Sequence, residues 1–294
     1  MFLQKPKYHI SILLAAFSYS SLSVISTLLT NQHIDAFTQI AFRAFFSAII
    51  LGMIRNIYGE KLILGKKELV YVIINSFVFI GAFTTFSLAI YLGSPIARVA
   101  ALANAYPFTI IILSYVLFRE IPSKKNWVAV ILSFCSVLVL LEVWHIKHLG
   151  QFYIGDIFAF ANSFFFGGII VFGRKMRTET RLNSYQSLFF TLLFMIPLLF
   201  LFGSLLRMPF FIPRVQINLP IISWLTLGLA AIATVTPLVL LYISISKINA
   251  IVVSVLLLTE LMWTYIFGLV LFHQSVTLWG ALGIVGIMTA TLLV

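Results

Sequence analysis

VLFRE, Val116 to Glu120, returns 154 positions later as VLFHQ, Val270 to Gln274, and this echo splits the chain of 294 residues into two halves. At the same shift Pro107 falls on Leu261 and Tyr106 on Glu260; downstream, a two-residue deletion in the second half brings Trp127 over Trp279. Self-similarity at a fixed shift shows what the folding unit is. Here the units begin near residues 9 and 154, a division into 1–150 and 151–294.

Composition determines the solvent. Hydrophobic residues make up 62% of the chain and charged ones 9%, and the mean hydropathy is +1.11, far from the usual make-up of soluble domains. A helix needs about 20 mainly apolar residues to cross a bilayer. The chain offers ten such stretches: 9–30, 34–57, 68–91, 95–118, 126–144, 154–174, 183–205, 219–243, 248–272 and 276–294. Their apolar runs are continuous, so they read as helices and not as the alternating strands of a barrel. The first is a span and not a signal peptide, because it lacks a small-x-small cleavage site. The expectation is an all-α integral membrane protein with ten transmembrane helices. Five helices per half force the second copy to enter the bilayer upside down, which gives two inverted five-helix repeats. Such scaffolds hold a site between the halves near the midplane and expose it to each side in turn.

The net charge of +11 would otherwise point to nucleic acid, but the basic residues lie mainly between the apolar runs, where topology accounts for them. With the N-terminus inside, fourteen Lys and Arg fall on the cytoplasmic face, among them Lys5, Lys61, Lys66, Arg119, Arg174 and Lys247, against Lys147, Arg207 and Arg214 opposite. That bias places both termini of a multi-pass inner-membrane protein in the cytoplasm. Cys135 is the single cysteine, so no internal disulfide forms. The histidines make no metal-ligand pair at helical spacing, and no hydroxyl or thiol has the base and orienting partner of a catalytic triad. Neither a metal, a cofactor nor an enzyme is expected.

Two longer stretches carry a family resemblance. SPIARVAALANAYPFTIIILSYVLFRE, Ser94 to Glu120, opens with small residues, is interrupted by Pro107 and closes on Glu120. YIGDIFAFANSFFFGGIIVFGRKM, Tyr153 to Met176, has a Gly-Asp opening, a small and aromatic centre and a basic end. Together with the span count and repeat, these resemble the drug/metabolite transporter superfamily, specifically its EamA-type ten-helix members. The resemblance implies a transporter whose cavity is lined by the first, third, fourth, sixth, eighth and ninth helices, which raises the standing of Asn104, Tyr106, Asn162 and Ser163. Where those proteins often carry Glu-Pro and then Gly-Glu, this chain has Glu260-Leu261 and His273-Gln274; if that proline helps the ninth helix bend during gating, the two halves are expected to move unequally here.

Glu260 stands near the middle of its span. A charge there costs at least about 2.5 kcal/mol, so it must face the bundle or a wet cavity. Steps of three, four and seven put Val253, Leu256, Trp263, Thr264 and Phe267 on its face. An acid among aromatic and hydroxyl groups suits a cargo with an amine and an apolar body; the competing reading is helix glue, with Glu260 bonded to hydroxyls. Arg43 and Arg98 are each either a carboxylate clamp or a snorkelling side chain. The stripe Ala16, Ser20, Ser23, Thr27, Thr30 and its counterpart Ser223, Thr226, Ala230, Thr234, Pro237 read as close packing or as cavity lining. Pro107 and Pro237 are the candidate gating residues. Asn75 is a further buried amide, and Gly280, Gly283 and Gly286 serve either helix packing or self-association.

The leading expectation is therefore an inner-membrane alternating-access exporter of amino acids or related amines, with Glu260, Trp263, Thr264, Tyr106, Asn104, Asn162, Ser163, Ser23 and Arg43 as substrate-binding candidates. Its partners are a small-molecule substrate, the lipid bilayer and protons exchanged at Glu260, in a monomer or weak homodimer. Uptake of a nucleotide-like or methylated cationic metabolite is the alternative. A membrane-embedded scaffold or receptor is the reading from a different class.

Overall fold

The computed structural model describes residues 6–57, 64–146, 153–206, 216–272 and 275–294. Lys5, Lys61, Lys147, Arg207, Arg214, His273 and Gln274, which enter the charge count and the closing motif, lie outside the described residues. Among the described residues all regular structure is helical: α1 (Pro6–Asn31), α2 (Ala36–Ile57), α3 (Lys66–Tyr91), α4 (Ile96–Ala103), α5 (Tyr106–Phe118), α6 (Lys124–Leu140), α7 (Ile154–Glu179), α8 (Ser184–Leu206), α9 (Ile221–Ser244), α10 (Ala250–Leu257), α11 (Thr259–Phe272) and α12 (Leu278–Leu293), with a 3-10 turn at Val143–His145. Eight stretches are long and apolar enough to cross a membrane, with α4–α5 and α10–α11 each counted once. The fifth apolar run is helical only to Leu140, so α6 has 17 residues, and α12 has 16. At 1.5 Å per residue each reaches about 25 Å, short of the roughly 30 Å hydrocarbon core.

Helix starts are set by polar caps at corresponding points of the two halves. Asp35 Oδ1 accepts the Thr38 N–H at 2.9 Å, and Asn183 Oδ1 the Gln186 N–H at 2.9 Å. Ser123 Oγ accepts the Asn126 N–H at 3.2 Å, and Thr277 Oγ1 the Gly280 N–H at 2.9 Å. Each satisfies a donor that a helix start leaves free. Ser123 and Thr277 are 154 residues apart, so the shift runs unchanged into the last helix of each half. The deletion inferred from the two tryptophans is thereby corrected. Trp127 and Trp279 stand two positions out of register, and Trp279 packs edge-on against Trp144 at 4.9 Å.

Two helices break, and at matching points. Asn104 closes α4 and Leu258 closes α10, again 154 residues apart. In the first half Pro107 lies in the opening turn of α5, where its missing N–H costs nothing. In the second half no proline is needed. The Leu258 N–H is shared between the carbonyls of Ser254 and Val255 at 3.3 and 3.2 Å, and the Leu261 N–H bonds back to Leu258 at 3.1 Å. The hydroxyls of Ser254 and Thr259 take the carbonyls of Ile251 and Leu256 at 2.7 Å each, competing with the backbone ladder. Both helices are thus broken at the same place, one with a proline after the break and one without.

Packing pairs the halves reciprocally. α3 lies along α7 as α1 lies along α9, α2 packs on α8 and α6 on α12, while α4–α5 lean on α7 and α10–α11 on α1. Of the two stripes, Ala16, Ser20, Ser223 and Ala230 are buried as packing requires, whereas Ser23 and Thr234 line the cavity described below and Thr27 and Thr30 are exposed. A Cβ on Gly283 would come within 2.7 Å of the Leu140 backbone, and one on Gly286 would run into Ser136 Oγ. That glycine face is thus taken up by α6 inside the chain, leaving the self-association reading without a surface.

Candidate functional site

A cavity of about 440 Å³ lies among α1, α2, α3, α4–α5, α7, α9 and α11. It occupies the part of the bundle away from the termini: its lining begins at Tyr19 in α1 and Phe79 in α3, and ends at Ile169 in α7. Ser23, Arg43, Asn104, Tyr106, Asn162 and Glu260 meet there.

Glu260 sits in the first turn of α11, directly after the break at Leu258. Among the described residues no hydrogen bond or ion pair reaches its carboxylate, and the phenols of Tyr19 and Tyr106 lie within electrostatic range. The hydroxyl partners that helix glue requires are not bonded to it. Arg43 donates from Nε to Thr234 Oγ1 at 3.1 Å and lies over the Phe83 ring at 5.6 Å. Among the described residues no carboxylate comes within 4.0 Å of its guanidinium. One acid and one base thus share a cavity without pairing. Charges withdrawn from water in this way are costly until a counter-ion arrives.

Several other polar residues of the wall have partners within the chain. The Asn104 amide donates to the Ala100 carbonyl at 2.8 Å, tying off the end of α4. Tyr106 donates to the Ser254 carbonyl at 3.2 Å, bridging the two broken helices, and its ring lies 4.8 Å from that of Phe166. The Asn162 amide bonds the Ala82 carbonyl of α3. Sequence reasoning missed Gln39, buried in the wall and donating to the Ile34 carbonyl at 2.9 Å. Its position one turn before Arg43 on the same helix face was the available signal. Tyr19, Phe79, Phe83 and Phe86 supply apolar wall that was also missed.

Residues 6–142 and 153–294 each match the EamA-like transporter family. The chain belongs to that family. As an EamA-like transporter it is a multi-pass membrane carrier of small solutes. None of the curated proteins compared with it matches. Among solved structures 29 chains match. One, described as "Crystal structure of protein", superposes with a TM-score of 0.80 at 15% identity, over 99% of this chain and 97% of that one. At that identity the likeness speaks for the fold alone.

Within the EamA-like bundle the remaining candidates lie outside the cavity wall. Trp263 lines an apolar groove of about 530 Å³ with Phe17, Thr259 and Met288, and meets Phe17 edge-on at 5.1 Å. The reason is rotational. At about 100° per residue, Leu261 turns one way from Glu260 and Trp263 about 60° the other, and the cavity lies on the Leu261 side. Thr264 is a turn beyond Glu260 and is not part of the wall. Ser163 is fully buried, its Oγ on the Phe160 carbonyl at 2.7 Å and its own carbonyl accepting from Thr109 at 2.8 Å. Pro107 is buried at the break, and Pro237 is buried in α9, which runs through it without interruption. Arg98 has its anion within the chain: Nη2 meets Asp156 Oδ2 at 2.8 Å, while Ser94 donates to Oδ1 at 2.9 Å. At the other end of the same helix pair Arg174 grips Glu120 through two bonds of 2.8 Å.

Proposed function

We propose that this EamA-like protein is an alternating-access exporter of amino acids or related amines. In this reading ten crossings form two inverted five-helix repeats in the cell inner membrane, with both termini in the cytoplasm. The observation that carries the reading is the cavity holding Glu260 and Arg43, neither paired with an opposite charge. A free carboxylate in a low-dielectric wall attracts an ammonium, and a guanidinium receives a carboxylate through two parallel hydrogen bonds. A zwitterion satisfies both at once. The rings of Tyr19, Phe79, Phe83 and Phe86 offer apolar surface to the rest of the cargo.

The reciprocal packing supports the inverted repeat, and α6 against α12 supplies the fifth and tenth crossings; local thinning of the bilayer accommodates such short helices. With the termini inside, the cavity opens toward the outside, where an exporter releases its cargo. Glu260 then takes a proton as the ammonium leaves, coupling export to proton entry.

The test is flux of a metabolite panel in proteoliposomes, with and without a proton gradient, for the wild type and Glu260→Gln. Zwitterionic amino acids should move in the wild type and slow at least about tenfold in the variant, corresponding to about 1.4 kcal/mol of lost recognition. Equal flux in the two proteins removes the role of Glu260. Inward movement of methylated or nucleotide-like cations alone replaces export by uptake.

A further inference from the structure

Three of the helices that line the cavity continue beneath it, and each places a distinctive residue one turn below its last wall position. In α3, Asn75 lies four residues below Phe79; in α9, Tyr242 lies four below Leu238; in α7, Gly173 lies four below Ile169. The three meet at one point. Tyr242 is fully buried, and its hydroxyl rests where a Cβ on Gly173 would come within 2.8 Å of it. The Asn75 amide donates to that hydroxyl at 2.8 Å and to Thr191 Oγ1 at 2.9 Å. Ser76 Oγ adds a bond to the Thr191 carbonyl at 2.8 Å. Every one of these bonds runs from the first half of the chain to the second.

The cluster is only partly satisfied. Among the described residues Asn75 Oδ1 is buried without a partner, as is the Oγ of Ser187, one turn from Thr191 on α8. Interhelical hydrogen bonds in a membrane are individually weak, whereas an orphaned buried acceptor is costly. As helix glue, the cluster is therefore poor. As the shut half of a polar passage it is well made, because opening the passage hydrates the orphaned groups.

We infer that Asn75, Thr191 and Tyr242 form the inner gate of the cargo path, closed in this structure by the Asn75 amide, and that Asn75 Oδ1 is the next acceptor for a donor-bearing cargo once the gate parts. The inference rests on the alternating-access reading. It adds a residue-level account of what closes the inner side. Motion of α3 against α8 and α9 breaks the Asn75 bonds and brings the polar face to water, while Phe79 and Leu238 part above it.

The test is thiol labelling, which needs no cargo. In the full-length protein with Cys135→Ser, Ser187→Cys reports the inner side and Ser26→Cys, in the cavity wall, the outer side; a membrane-impermeant maleimide is applied from each side of sealed vesicles. Tyr242→Phe, which removes one hydroxyl, should raise inner labelling about threefold and Asn75→Ala about tenfold, in line with the loss of one or two interhelical bonds. Outer labelling should fall reciprocally in both. Unchanged rates at both sites in Tyr242→Phe overturn the gate, and so do rates that rise at both, which mark a loosened bundle. Should Asn75→Ala fail to fold, Tyr242→Phe decides alone. Reciprocal labelling without amino-acid flux would leave the gate standing and remove the cargo; flux without reciprocal labelling would do the opposite.

Discussion

Tyr106 and Glu260 stand 154 residues apart, each two positions beyond the residue that closes a broken helix, and both line the same cavity. The scaffold is repeated but the chemistry is not: one half presents a phenol that is bonded to Ser254, the other a carboxylate that is bonded to nothing described. Substitution should separate the two. Glu260→Gln breaks no hydrogen bond and removes a charge that costs at least about 2.5 kcal/mol at mid-membrane. Its thermal stability in detergent should hold or rise while amine flux falls. Tyr106→Phe keeps the ring against Phe166 and leaves the Ser254 carbonyl still accepting from Leu258, so it should lose only about 0.6 kcal/mol. A Glu260→Gln protein that melts well below the wild type would mean that the carboxylate is structural.

Arg43 should decide which amines are carried. Its guanidinium has a hydroxyl and a ring for company but, among the described residues, no acid, so Arg43→Gln removes the carboxylate site and leaves Glu260 in place. Zwitterionic cargo should slow about tenfold or more, since charge-assisted paired bonds are lost, while amines lacking a carboxylate change far less. Arg43→Lys should recover only part of the flux, a point charge replacing a fork. Equal losses for both cargo classes would show that Arg43 acts through packing on Thr234 and Phe83.

These residues mark how far the sequence reading reached. Spans follow from hydropathy, the halves from VLFRE and VLFHQ, and Glu260 from the cost of an acid within a span. The break at Leu258 carried no such sign, because it comes from hydroxyls bonding back to their own helix and from Tyr106 donating across the halves. Nor was the direction of Trp263 legible. In water the polar face of a helix reveals which side is buried; in a bilayer both lipid and bundle interior are apolar, so hydropathy is nearly silent on rotation. Phe79 and Phe83 look the same in sequence as Phe77, which is exposed.

Glu142, past the helical part of the fifth apolar run, predicts a small pH effect. It lies beyond the end of α6 in the left-handed region, at φ 47 and ψ 49. A bond from the Thr277 hydroxyl, followed by the contact with His145, holds its carboxyl below the ordinary 4.5. A carboxyl lowered on folding contributes stability above its ordinary value, and that contribution disappears as the pH falls through the lowered one. Glu142→Gln should therefore melt slightly below the wild type at neutral pH, and the gap should close on acidification past 4.5. The group is partly exposed, so solvent screening keeps the effect small. A gap that persists in acid would assign it to side-chain hydrogen-bond geometry and not to the charge.

The contact between α6 and α12 gives the sharpest test of packing, because two glycines in apolar helices should respond in opposite directions. A Cβ on Gly283 meets the backbone N and Cα of Leu140 at 2.7 Å, and backbone has no rotamer with which to yield. Gly283→Ala gains roughly 1 kcal/mol of helix propensity but must push the helices apart, at a cost of roughly 1–3 kcal/mol for overpacking, so it should lower the melting temperature. Gly228, within α9, has nothing among the described residues within 4 Å of its Cβ position, so Gly228→Ala should keep the propensity gain, up to about 1 kcal/mol, and melt higher. Neither helix of the α6–α12 pair lines the cavity. Gly283→Ala should accordingly reduce the amount of folded carrier, and with it maximal flux, while the concentration of amino acid giving half-maximal flux stays where it was. A change in that concentration would mean that the peripheral pair moves with the gate.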